Sequence, residues 1–307
     1  MLPKPQKKFA LTFDLDENPL NSIICEDLVE SDTVALLSEK WSATEFFLEN
    51  FFKISDRINN LLGSEVPLTL FIRADKHVLN EYGSRDYFFE KYLPKLLEYQ
   101  SLGHEIGLHL HLSKSDWVND LKIENELSEL KKFANQEGLN LHGIRFGGHN
   151  LAEKFVPILE ELGFVYDSSM MPGRKRKDRH FNFDWTRTNK NIHKINASDF
   201  NRKHHHTYDL LEIPFTMFKI KAPYDSMPLD RYFDLNFANE YLINSINNDK
   251  SYTLAIAHPH STIVLQKHEQ NSLMSSGWDN FEKNLEFIKF KFSEFRFDTL
   301  SNFAKEF

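Results

Sequence analysis

The segment Gly103–His111, with the sequence GHEIGLHLH, carries the residue types best suited to chemistry in this chain. Apolar residues alternate with the others along it, which is typical of a β-strand whose successive side chains point to opposite faces. His109 and His111 therefore share a face, with Cα atoms about 7 Å apart. Two imidazoles at this spacing can bind one ion at about 2.0–2.1 Å. The alternative is a pair of histidines on a solvated strand face.

Other titratable side chains end predicted strands in the same way. Residues 9–16, FALTFDLD, end in two aspartates two positions apart, and residues 253–260, TLAIAHPH, end in two histidines with the same spacing. In parallel α/β folds the catalytic groups gather at the carboxyl ends of the strands. The sequence therefore predicts one site built from such residues. They are Asp14, Asp16, His109, His111, Arg145, Asp167, His258 and His260.

The order of the predicted elements favours an α/β fold. Strands alternate with helices, which is typical of a mostly parallel sheet with right-handed crossovers. From about residue 170 to 209 this pattern gives way to an irregular insertion that is too long for an ordinary connection. Because no linker divides the chain, we expect a single domain over residues 1–307. The predicted helices cover residues 41–62, 85–101, 119–137, 152–162, 236–247 and 278–290.

Composition narrows the class of function. The 307 residues include 45 acidic and 37 basic side chains, and the formal net charge is −8. This balance argues against nucleic-acid binding, which needs a cationic surface. The single cysteine, Cys25, allows no intrachain disulfide and favours a reducing compartment. Without a run of about 18 apolar residues or an apolar leader, we expect a cytoplasmic protein with no membrane span.

Five short motifs in order carry a resemblance to a known family. TFDLD, GHEIGLHLH, IRFGG, YDSS and IAHPH resemble the polysaccharide deacetylases of the NodB-homology type, carbohydrate esterase family four. The resemblance covers nearly the whole chain. It implies an irregular, incomplete (β/α) barrel of about seven parallel strands. It also implies removal of acetyl groups from sugars with a divalent metal held by one aspartate and two histidines.

The metal motifs of this chain depart from the usual family pattern. Asp14 matches the catalytic base, but the position after it, where the metal-binding aspartate normally lies, is Leu15. Asp16 is the natural substitute because it shares a face with Asp14. In the second motif His109 matches the first histidine, the second would fall at Ser113, and His111 replaces it. The resemblance therefore implies Asp16, His109 and His111 as metal ligands.

The resemblance also implies roles around the metal. Arg145 matches the arginine that orients the base, and His258 matches the general acid. We expect Asp14 and His258, on well-separated strands, to flank the scissile bond. Asp167 is the expected partner of His258, with Asp184 as the alternative.

Two histidines and one pair of opposite charges lie near the motifs. His260, on the face of His258, is expected to contact substrate or to hold His258. His149 follows two glycines near the predicted site and is a further candidate substrate contact. Arg73 and Asp75, at the end of the second predicted strand, either line the pocket or form an ordinary surface pair, and the surface pair is the expectation.

Zn²⁺ is the expected ion, with Co²⁺, Ni²⁺ and Mn²⁺ as alternatives. Three protein ligands, as in catalytic zinc sites, leave coordination positions open for a water and for the carbonyl oxygen of the substrate. The expected substrate is an N-acetylated sugar. A basic run, residues 174–179, either is a solvated loop or clamps a phosphorylated substrate through Arg174 and Arg176, which would fit a nucleotide-linked or lipid-linked sugar. The competing functions are a deformylase or other amide hydrolase and a non-catalytic carbohydrate-binding homologue.

Overall fold

A computed structural model provides the structure of the chain, and the residues that it describes are as follows. They are 7–18, 22–23, 36–37, 39–112, 120–149, 151–177, 182–202, 206–220, 229–233, 235, 240–248, 253–265, 277–292 and 294–307. These residues form two compact units. Unit 1 comprises Met1–Leu68 and Phe233–Asp298, and unit 2 comprises Thr69–Tyr232 and Thr299–Phe307.

The described residues form helices and strands that alternate over much of the chain. The helices α1–α9 are Ser42–Glu49, Phe51–Leu62, Lys76–Tyr82, Tyr87–Ser101, Asp120–Gln136, Val156–Glu161, Glu240–Asn248, Gly277–Lys291 and Leu300–Lys305. The strands that position the candidate site, β1–β9, are Lys7–Leu15, Leu68–Arg73, Glu105–Leu110, Leu141–Phe146, Tyr166–Asp167, His193–Asn196, Thr207–Glu212, Leu254–Ala257 and Phe295–Phe297. Short antiparallel ladders pair Ser22–Ile23 with Leu36–Leu37, Lys175–Lys177 with Asn182–Asp184, and Met217–Ile220 with Leu229–Tyr232.

Unit 1 is built around β1, which pairs in parallel with β8 on one edge and with β9 on the other. Its residues from Phe9 to Leu15 are all buried, which fits a central strand covered on both faces. Helices α2 and α8 are linked by an ion pair between Arg57 and Glu282, and the Arg57 guanidinium also lies 5.5 Å from the Trp278 ring. These contacts hold the helices that cover the strand.

Unit 2 contains six consecutive strands in the order β6-β7-β5-β4-β3-β2. All neighbours in this series are parallel except β6 and β7. Five of these six strands, all except β6, therefore lie in parallel ladders. With β1, β8 and β9 they make eight such strands in the described part of the chain, against the expected number of about seven. The prediction of an α/β fold with mostly parallel strands is confirmed.

Three local predictions differ from the structure. The single helix expected over residues 41–62 is broken into α1 and α2 at Asn50, whose φ of −107° and ψ of 19° lie outside the helical range. Helix α3 was not predicted, since it is only seven residues long. The described part of residues 170–209 includes β6 and a 3₁₀ turn at Ala197–Phe200, so it is not wholly irregular.

Candidate active site

Unit 1 brings Asp14 and His258 into direct contact. The Nε2 atom of His258 donates to the Asp14 carboxylate Oδ2 at 2.6 Å, and both side chains are buried. The expectation that these residues lie on well-separated strands is wrong, because β1 and β8 are neighbours in a parallel ladder. Residues 244 positions apart in the chain are therefore joined by the sheet rather than separated by it.

Asp16 lies one residue beyond β1 and is fixed by several hydrogen bonds. Its carbonyl accepts from the Thr44 hydroxyl at 2.8 Å and from the Ser261 hydroxyl at 3.1 Å. Its carboxylate Oδ2 lies 3.2 Å from His260 Nδ1. Ligand atoms of Asp14, Asp16 and His260 lie within 4.8 Å of one another, so unit 1 alone offers two carboxylates and an imidazole to a divalent cation.

In unit 2, the histidines at the end of β3 have their rings together. His109 Nε2 and His111 Nε2 are 3.1 Å apart. His109 Nδ1 lies 2.9 Å from the Arg145 carbonyl oxygen, which can only accept, so this nitrogen carries the proton. In the neutral ring the lone pair is then on Nε2, on the side of His111. A backbone carbonyl that fixes a tautomer in this way is usual for metal-binding histidines.

The spacing of the two rings fits a shared metal ion. Two nitrogen ligands of a tetrahedral ion, each at about 2.0–2.1 Å, are about 3.3 Å apart, close to the observed 3.1 Å. Gly147 provides the room that the second ring needs, because a Cβ there would lie 1.9 Å from His111 Cδ2. This close approach accounts for a glycine directly after β4.

The pair formed by Arg73 and Asp75 is buried, and its expected surface location is wrong. Arg73 is 1% exposed and Asp75 is 5% exposed. The carboxylate accepts from Arg73 Nε at 2.6 Å and from the His111 backbone N–H at 2.9 Å. Burial by itself raises the pKa of Asp75, but the Arg73 charge and these hydrogen bonds together lower that pKa below its ordinary value. The sequence pattern contains little sign of this burial, since an Arg and an Asp two residues apart are common on protein surfaces.

Arg145 is fully buried between two aromatic rings. Its guanidinium carbon lies 4.1 Å from the Phe71 ring centroid and 4.6 Å from that of Phe215. The guanidinium donates to the carbonyl and the hydroxyl of Ser168, each at 2.9 Å. These contacts hold the cation in one place, and its role toward Asp14 stays a prediction.

Asp167 belongs to a buried carboxyl pair that the sequence did not reveal. Its partner is Glu212, directly opposite in the β5–β7 ladder, and neither residue is exposed. Asp167 accepts from the N–H and the hydroxyl of Ser169, and Glu212 accepts from the Met170 N–H. Burial raises the pKa of Asp167 to about 6, while burial and the Asp167 charge raise that of Glu212 well above its usual value. We infer that one proton stays on the pair at neutral pH.

The substitution Glu212→Gln tests this protonation. Because the folded state keeps a proton that the unfolded state releases above pH 4.5, wild-type stability should fall as pH rises from about 4 toward 8. The glutamine amide would be a neutral donor at every pH, so the variant should match wild type near pH 4 and exceed it by about 1–3 kcal/mol at pH 8. Denaturant titrations at both pH values measure this. A variant less stable than wild type at pH 8 would contradict the shared proton.

The remaining candidates either lie partly or wholly outside the described residues or have other partners. His149 ends the 3₁₀ turn Gly147–His149, but its side chain and the whole of Ser113 lie outside the described residues. Asp184 pairs with Lys175 and accepts from the Thr186 hydroxyl, and these contacts lower its pKa to about 2. The role of Asp167 or Asp184 toward His258 therefore remains a prediction.

The basic run forms part of an antiparallel ladder. Arg174, just before Lys175–Lys177, has its guanidinium 3.1 Å from the Met171 sulfur. Arg174 and Arg176 are both partly buried. Lys175 and Lys177, which alternate with these arginines, line a cleft of about 500 Å³ together with Arg202.

Comparison with solved structures finds a similar fold. A provisionally assigned polysaccharide deacetylase from Mycobacterium smegmatis matches with a TM-score of 0.55 and 14% identity, covering 100% of this chain and 92% of that chain. This likeness concerns the fold alone, and at that level it supports the resemblance found in the motifs.

Two further solved structures match less closely. A 4-alpha-glucanotransferase from Thermococcus litoralis has a TM-score of 0.48 and 11% identity, and the match spans 99% of this chain but 41% of that chain. A provisionally assigned polysaccharide deacetylase involved in O-antigen biosynthesis from Bordetella bronchiseptica has a TM-score of 0.38 and 10% identity over 98% and 91% of the two chains. No protein-family model matches the chain, and no curated protein matches it. Within the described ranges, no helix has the length and apolar character that a bilayer span requires.

Proposed function

We propose that the chain is a metal-dependent hydrolase that removes the N-acetyl group from a sugar or glycan precursor. The observation that carries this proposal is the histidine pair. His109 presents the Nε2 lone pair at 3.1 Å from His111 Nε2, with its tautomer fixed by the Arg145 carbonyl. Paired imidazoles held this way are suited to a divalent ion. The order of the five motifs supplies the reaction class.

We propose Asp16, His109 and His111 as the ligands of that ion, with Zn²⁺ as the preferred metal. This set is the one that the family resemblance implies, with one carboxylate and two imidazoles. The cluster of Asp14, Asp16 and His260 in unit 1 supports a second assignment, in which Asp14 contributes a ligand atom. When bound, such an ion polarises an amide carbonyl and lowers the pKa of a bound water toward about 7.

The residues of unit 1 would move the protons of the reaction. Asp14, as general base, takes the proton from the attacking water. His258 Nε2–H donates to Asp14 Oδ2 at 2.6 Å, which leaves the other carboxylate oxygen, Oδ1, for the proton of the water. His258, entering the reaction in its protonated form, gives a proton to the nitrogen of the amine that leaves. A direct bond between base and acid thus replaces the flanking arrangement expected from the sequence.

An anionic group on the substrate would find cations in unit 2. The cleft of about 500 Å³ is lined by Lys175, Lys177 and Arg202, and by the acidic Glu153 and Asp184. Lys175 is paired with Asp184 and Arg202 with Glu153, so a phosphate group on the sugar would have to compete with these carboxylates. The sequence pattern favoured Arg174 and Arg176 for this role. Under this hypothesis the substrate is nucleotide-linked or lipid-linked.

Metal content and acetate release test the proposed function together. Purified protein loaded with Zn²⁺ or Co²⁺ should retain about one ion per chain and release acetate from N-acetylated sugars, and a chelator should abolish the release. Formate release from an N-formyl sugar, without acetate release, would favour the deformylase. Saturable sugar binding without metal or acyl release would favour the non-catalytic homologue. Comparing the rate of acetate release from phosphorylated and neutral N-acetyl sugars tests whether the cleft binds a phosphate group.

A further inference from the structure

We infer that Asp75 is a positioning residue for His111: its carboxylate fixes the backbone at that histidine and so directs the imidazole toward the metal. This inference rests on the proposed function, because it presumes that His111 is a ligand. Neither the motif pattern nor the resemblance assigns a role to Asp75.

Asp75 uses both carboxylate oxygens to join three pieces of chain. Oδ1 accepts from the His77 N–H at 2.8 Å and caps helix α3. Oδ2 accepts from Arg73 Nε at 2.6 Å, at the end of β2, and from the His111 N–H at 2.9 Å. One oxygen would be enough for the helix cap, so the second bond to His111 is a separate feature of the site.

His111 needs such support because it lies where the strand ladder stops. Strand β3 ends at Leu110, and the ladder with β2 ends at the pairing of Arg73 with His109. The N–H of His111 donates to a side-chain carboxylate oxygen, Asp75 Oδ2, at 2.9 Å. The carboxylate is buried, with Asp75 5% exposed, and it also pairs with Arg73, so it is held in one place. The backbone direction at His111 is therefore set by Asp75.

The ring of His111 is positioned from its other side by Gly147. A Cβ at Gly147 would lie 1.9 Å from His111 Cδ2 and 2.1 Å from Nε2. The imidazole thus rests against bare backbone while Asp75 holds its main chain. Both contacts act on the same residue, and both can be changed without replacing a proposed ligand.

The decisive experiment measures metal affinity rather than activity alone. Asp75→Ser keeps a good helix cap but is too short to reach His111 as well. Its affinity for Zn²⁺, measured by competition with a chromophoric chelator, should fall about 10–100-fold, as is usual when a partner of a metal ligand is lost. The visible absorption spectrum of bound Co²⁺ should change too. Gly147→Ala should alter both readouts in the same direction, because it displaces the same ring.

Thr299→Val provides the matched control. It removes the helix-capping hydroxyl of α9, which accepts from the Asn302 N–H at 3.3 Å in the same unit. It should lower stability while leaving Zn²⁺ affinity unchanged. If Asp75→Ser fails to fold, the double variant Arg73→Met/Asp75→Ser removes the buried cation together with its partner, and it should show the same loss of affinity.

The outcomes separate this inference from the proposed function. Wild-type protein that binds Zn²⁺ through His111, together with an Asp75→Ser variant that binds as tightly, would overturn the inference and leave the function standing. Wild-type protein that binds neither Zn²⁺ nor Co²⁺ would overturn both. A loss of affinity in Thr299→Val equal to that in Asp75→Ser would also overturn the inference, since stability would then explain the effect.

Discussion

Replacing Asp14 by asparagine is expected to leave metal binding intact and to lower kcat by about 10²–10⁴-fold. Asparagine keeps the size of the side chain but cannot take a proton from water. It also replaces the carboxylate that accepts from His258 Nε2 at 2.6 Å by a neutral amide. The measurement is metal content together with kcat across a metal titration.

Asp16→Asn is the matched variant for this experiment. Asp16 is the proposed ligand, so its replacement should weaken metal binding, and excess metal should restore part of the activity. If Asp14→Asn is instead the variant that excess metal rescues, the two aspartates have exchanged roles. The cluster of Asp14, Asp16 and His260 makes that exchange chemically reasonable. If neither variant loses activity, the reaction takes place elsewhere.

His111→Ala is expected to weaken metal binding by more than the roughly 10–100-fold that loss of an outer partner costs. The substitution removes one of two imidazoles whose Nε2 atoms are 3.1 Å apart. His111 is only half-buried, so its replacement should leave the fold intact. Metal content after dialysis and far-UV circular dichroism measure the two effects.

His104→Ala is the control for this prediction. His104 precedes the same strand at its other end, and burial lowers its pKa to about 4, so it is neutral at working pH. Its replacement should leave the metal content unchanged. Full occupancy in His111→Ala would show that the proposed ligand set is wrong, and Ser113, at the family's usual position, or a water would then be the candidate.

The contact between Asp14 and His258 bears on how the reaction would depend on pH. The acid and base of the proposed mechanism share one hydrogen bond, so replacing either residue changes the surroundings of the other. Substituting either residue should therefore change both limbs of a pH–rate profile. This behaviour would separate a coupled pair from two groups on opposite sides of the substrate.

Local sequence patterns were enough to predict the strands that carry the candidate site and the directions of their functional side chains. Alternation in GHEIGLHLH places His109 and His111 on one face, and the structure brings their rings together. The same period of two, applied to FALTFDLD, groups Asp14 with Asp16. These inferences succeed because the direction of a side chain along a strand depends only on residues one and two positions away. The α/β class followed from the order of such segments.

The tertiary structure alone decided which of these strands are neighbours and what they bury. The pairing of β1 with β8 joins Asp14 to His258, and the register of β5 with β7 sets Asp167 opposite Glu212. Burial of Asp75 likewise converts an apparent surface pair into a support for His111. Strand order, register and burial depend on contacts between residues far apart in the chain, and the periodicity of a short segment does not predict such contacts.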